Sequence, residues 1–129
     1  MEKHITILID IIKKQAQSFL LAMDGEFFPF GTYINKNNEV KPFSVYSETE
    51  KPPSTELIES MNDYVQKLLE ADKCKVAGIT INVTIKEKGE SFDAIEIRFY
   101  EIDKVPYKKY FKYYVHADTV EFLQHTFIQ

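Results

Sequence analysis

From Lys75 onward the chain keeps a period of two. Ile79, Ile81, Val83 and Ile85 alternate with Thr80, Asn82, Thr84 and Lys86; after a KEKGES turn, Ile95, Ile97 and Phe99 alternate with Glu96, Arg98 and Tyr100. Successive side chains of a strand point to opposite faces, so this pattern predicts an antiparallel sheet with one face packed and one wet. A third run, KVPYKKYFKYYVH from Lys104 to His116, places four tyrosines, four lysines and a phenylalanine within thirteen residues. Read by parity, Phe111, Tyr113 and Val115 join the packed face with Ile95, Ile97 and Phe99. Lys108, Tyr110, Lys112, Tyr114 and His116 then fall on the wet face beside Glu96, Arg98 and Tyr100.

Two amphipathic helices accompany these strands. Ile5, Leu8, Ile9, Ile12, Ala16, Phe19, Leu20 and Met23 recur at steps of three and four before Asp24-Gly25 ends the first. Leu57, Ile58, Met61, Tyr64, Val65, Leu68 and Leu69 make one stripe in the second, which follows an exposed SETEKPP loop. Between the helices, FFPFGTYI and VKPFSVY flank a polar NKNNE, a β-hairpin pattern whose Pro29 and Pro42 belong at edges or bulges. The tail TVEFLQHTFIQ reads as extended from its β-branched and aromatic content. The order α-β-β-α-β-β-β predicts a single α+β domain over 1–129, a two-layer fold with an antiparallel five-stranded sheet and both helices on one face. That order is similar to the profilin-like and roadblock-like folds, an analogy of fold that carries no function.

The size, 129 residues with 44% hydrophobic content, suits one domain with a real core. Sixteen Lys and Arg against twenty Asp and Glu give a formal charge of -4, contrary to the positive excess a nucleic-acid binder uses to displace counterions. Asp10, Lys13 and Lys14 interrupt the apolar start, so neither a signal peptide nor a membrane anchor is expected. The lone Cys74 calls for no oxidising compartment, and the expected location is the cytoplasm.

FFPFGTYINKNNEV, PPSTELIESM, FDAIEIRFYE and YYVHADTVEF together resemble a group of small bacterial proteins that share an F-x-P-F-G hairpin. The resemblance covers roughly Phe27 to the C-terminus. It implies one domain with this order of elements and an association with bacterial toxin–immunity systems; no activity, cofactor or catalytic residue comes with it.

Candidate chemistry is sparse. Phe28, Phe30, Gly31 and Tyr33 could line a small-molecule pocket, and an alternative reading makes the chain a small enzyme or ligand-binding domain with that pocket near Phe28, Gly31 and His116, although a bulge beside core aromatics explains the hairpin residues more simply. His116 and Asp118 are close enough for an orienter–base pair and are the only candidate catalytic residues, with no nucleophile beside them. His4, His116 and His125 share no metal-ligand spacing, so neither a metal nor a cofactor is expected. Cys74, between Lys73 and Lys75, would be an activated thiol if exposed and an inert one if buried at a helix-to-strand junction. Tyr110 and Tyr114 could stack bases while Lys108 and Lys112 met phosphates, but Glu96 shares their patch and no RNP-like motif is present. Tyrosine and lysine on one sheet face favour protein association instead. The expected contact surface is Glu96, Arg98, Tyr100, Lys108, Tyr110, Lys112 and Tyr114, and the expected partner is another protein or a second copy forming a homodimer.

Overall fold

The computed structural model of the chain describes residues 2–22, 27, 29–44 and 54–126. The expected helix end at Asp24-Gly25, the 47–53 loop and Phe28 lie outside the described residues. Helix α1 (Glu2–Ala22) buries Ile5, Leu8, Ile12, Ala16 and Leu20, the stripe its three- and four-residue spacing dictates. Helix α2 (Ser54–Glu70) buries Leu57, Met61, Val65, Leu68 and Leu69. It closes with Lys73 N–H donating to the Leu68 carbonyl (2.9 Å) and Asp72 N–H to that of Leu69 (3.0 Å), while Asp72 takes the left-handed φ of 55°. This is a Schellman closure with aspartate where glycine is usual.

Strands β1 (Phe30–Asn35), β2 (Val40–Phe43), β3 (Cys74–Glu87), β4 (Glu90–Glu101), β5 (Tyr107–Val115) and β6 (Val120–His125) form one antiparallel sheet of order β2-β1-β3-β4-β5-β6. The sheet has six strands rather than the expected five. The extended tail supplies the extra one, pairing Val120 with Val115 and Tyr110 with His125.

The helices do not share a face. Directly paired residues of neighbouring strands project to the same side, and the register pairs Ile79 with Arg98 and Ile97 with Thr80. Ile79 and Ile97 therefore point in opposite directions, and each meets a different helix. Val76, Ile95, Ile97, Phe99 and Phe111 pack with α1; Ala77, Ile79, Ile81 and Tyr100 pack with α2. The two-layer expectation gives way to three layers, with the sheet between two helices. Gly78 fits α1 to its side: a Cβ there would lie 2.9 Å from Ile12 Cδ1, so even a methyl group would require that side-chain tip to shift.

Candidate functional site

On the α2 side the sheet is only partly covered. Helix α2 sits over Phe43, Ala77, Ile79, Ile81 and Tyr100, and further along the same face Lys108, Tyr114, Glu121 and Leu123 are exposed. Tyr100, expected on the contact surface, is instead buried beneath α2, where loss of water raises its hydroxyl pKa. Glu96 is also buried, and its carboxylate is already engaged: it accepts from Arg98 Nε at 2.7 Å and from the Tyr110 hydroxyl at 2.8 Å. Desolvation, then the bond to Glu96, pushes the Tyr110 hydroxyl up to about 12. Glu96 and Arg98 thus work as an internal clamp that fixes the Tyr110 ring rather than as free contact groups.

Beside this clamp, Lys112 Nζ rests 3.8 Å from the centroid of Phe92, a cation–π contact that holds its ammonium across the face. His125 Nε2 lies 3.4 Å from Glu87 Oε2, linking the far end of β3 to the end of β6. Lys108 and Tyr114 remain exposed, and β6 adds Glu121 and Leu123 to the same face through the pairs Tyr114–Glu121 and Lys112–Leu123. Tyr114 is 44% exposed and Leu123 49%. The β6 residues were absent from the sequence-based surface, although Glu121 and Leu123 alternate with Val120 and Phe122 as a half-buried strand should.

The aromatic pocket is assembled only in part. Gly31 is a packing glycine: the position of its missing Cβ is filled by the Phe43 ring, 2.1 Å away. Phe30 turns to the α1 side, where the tilted rings of Phe19 and Phe27 lie 5.1 and 5.4 Å from it, whereas Tyr33 turns to the α2 side and meets Phe43 at 6.0 Å. Phe30 and Gly31 border one cleft of about 290 Å³ together with Gln15, Phe19, Pro42, Phe43 and Ser44, but Tyr33 is not on it. His116 does not join them either, because β3 and β4 separate β5 from β1, roughly 14 Å at the usual strand spacing. His116 is exposed, with Nε2 3.4 Å from Glu121 Oε1, so its carboxylate neighbour is not Asp118.

Cys74 is buried, and desolvation raises its thiol to about 11 despite the nearby Lys36. At pH 8 such a thiol carries roughly a hundredfold less thiolate than an ordinary one. Iodoacetamide should therefore label the folded protein at least about a hundredfold more slowly than the urea-unfolded chain; equal rates would show an accessible Cys74. Among the described residues no three His, Cys, Asp or Glu side chains gather as a metal site, and no helix is long and apolar enough to cross a membrane.

No protein-family model, curated protein or solved structure matches this chain.

Proposed function

We propose that this is a non-enzymatic association domain of the adaptor or immunity type, and that the first partner of its β5–β6 surface is a second copy of itself. The observation that carries this reading is that β6 is an edge strand among the described residues, bordered by exposed Leu123, Tyr114 and Val115. Native sheets normally blunt their edges. The opposite edge follows that rule, since β2 is only Val40–Phe43 and contains Lys41 and Pro42. Strand β6 has neither proline nor lysine.

The chemistry of β6 selects an antiparallel pairing. Val120 N–H bonds to Gln17 Oε1 at 3.1 Å, on α1 rather than on β5, so it points away from the sheet ladder. Phe122 and Gln124, two and four residues on, project their main-chain groups the same way. Two copies related by a two-fold axis through Leu123 would pair Phe122 with Gln124 on each side of the axis. The same register sets Leu123 against Leu123 and Glu121 against His125 on one face, an apolar centre flanked by complementary groups. Glu96 takes no part in this contact, unlike the face-to-face dimer expected from the sequence.

Sedimentation equilibrium at micromolar concentration tests the reading. The wild type should be a dimer, and Leu123→Lys, which places two ammonium groups at the axis, should weaken it at least about tenfold with little change in stability, because Leu123 is half exposed. Gln124→Pro should act similarly by removing an outward N–H. A monomeric wild type, or a dimer indifferent to both substitutions, sinks the proposal. Nucleic-acid binding by the same face is disfavoured by Glu96 and Glu121 among its lysines.

A further inference from the structure

At the opposite end of the sheet from the β5–β6 turn, Glu101 ends β4 with a side chain only 2% exposed. Tyr107 donates its hydroxyl to Glu101 Oε2 at 3.1 Å, and Lys104 Nζ approaches the same oxygen at 3.4 Å. Oε1 is buried and has no hydrogen-bond partner. A buried carboxylate oxygen without a donor is costly, and proteins retain such groups where something else supplies the donor.

Three clefts meet at Glu101 and Lys104: the first, of about 530 Å³, runs past Gln66, Glu70 and Asp103, and two others include residues of α1. One, of about 370 Å³, runs beneath the first turns of α1 and includes Tyr107 and Lys109. The other, of about 410 Å³, is lined by His4, Lys36, Lys75, Glu101, Ile102 and Lys104. His4 supplies a second buried atom without a partner, Nδ1, while its Nε2 contacts Asn38 Oδ1 at 3.3 Å. Lys75 also donates to Asn38, and Lys36 pairs with Asp72 at 2.7 Å, so both ammonium groups are held in place at the cleft. The start of α1 adds the positive end of a 21-residue helix. In a chain of net charge -4, the cleft beside His4 brings Lys36, Lys75 and Lys104 around one buried acceptor, with Asp72 pairing Lys36 and with Glu70 and Asp103 on the adjoining cleft.

We infer that the Glu101 corner is a binding site for a small phosphorylated polyol, with phosphate on the lysine side and a hydroxyl donated to Glu101 Oε1. The lysines and the helix start select an anion, and lysine is a common point-charge partner of phosphate. Glu101 selects a neutral donor on the same molecule, since an ammonium group would be repelled by Lys75 and Lys104. The cleft volume lies within the usual range for small ligands. Lys104, largely exposed and only weakly bonded to Glu101, is the side chain that the entering hydroxyl displaces. A sugar phosphate and a nucleoside monophosphate share this chemistry. The site stands apart from the β6 edge and does not depend on self-association.

Calorimetric titration of the full chain with ribose 5-phosphate, ribose and inorganic phosphate is the test, with adenosine 5′-monophosphate added to separate the two ligand sources. Ribose 5-phosphate or the nucleotide should bind at least about tenfold more tightly than ribose or inorganic phosphate, since only they engage both halves of the site. Glu101→Gln should lose that margin while melting close to the wild type. If Glu101→Gln does not fold, Lys75→Ala, on the cleft's outer wall, should weaken phosphate-bearing ligands alone. No binding of either phosphorylated ligand by the wild type at roughly 10 mM, or unchanged binding in both variants, overturns the assignment.

Discussion

An Ile79→Asp chain should unfold as readily as an Ile97→Asp chain, each losing more than about 4 kcal/mol in urea denaturation, because either carboxylate would be unpaired in a dry core. Both isoleucines are fully buried, one under α2 and one against α1. A loss of that size approaches the whole stability of an ordinary domain, so both variants should be largely unfolded at physiological temperature. The control is Thr84→Asp, which lies on β3 at an exposed position and should change stability by less than about 0.5 kcal/mol. If Ile79→Asp proved as mild as Thr84→Asp, α2 would not cover its face, and the three-layer arrangement would fail.

Gly31→Ala should cost about 2–3 kcal/mol although it adds a single methyl group. Phe43 pairs with Gly31 across the β1–β2 ladder and lays its ring over the glycine. The ring has no easy retreat, because Tyr64 of α2 lies 5.0 Å from it and Tyr33 lies 6.0 Å away. The new methyl must therefore displace an aromatic cluster that joins α2 to the hairpin, rather than the free end of one side chain. In a Phe43→Leu background the same substitution should cost at least about 1 kcal/mol less, a coupling that thermal melts of the four chains would measure. Equal costs in the two backgrounds would remove the ring contact as the cause.

The elements could be read from hydrophobic period alone, but their assignment to faces could not. Alternation along β3 and β4 predicts one dry and one wet face, but polar residues disguise the second dry one. Thr80 and Thr32 are fully buried on the α1 side, and Tyr100 and Glu96 are buried on the α2 side. Threonine is β-branched and small enough to pack as valine does, while a tyrosine ring can be buried with its hydroxyl in place. Only the register, which no single strand contains, shows that Ile79 stands beside Arg98 rather than Ile97. That Lys108, Tyr110, Lys112 and Tyr114 share one sheet face is legible because parity within one strand suffices. Leu123 needed the tail to be seen as a paired strand. Glu101 was not legible, since an acidic residue at a strand end ordinarily reads as solvated and its burial depends on Tyr107 and the start of α1.

Helix α1 precedes every strand it covers, and this sets a constraint during synthesis. Its stripe from Ile5 to Leu20 is emitted first, yet part of its seat, Phe111, Tyr113 and Val120, is emitted last. At ordinary translation speeds roughly 5–20 s separate Ile12 from Val120. Throughout that interval the stripe has an incomplete surface to dock on, whereas β3 to β6 pair with sequence neighbours and can zip up as each hairpin emerges. The nascent chain therefore presents an amphipathic helix to its surroundings before it has a finished sheet to fold it against.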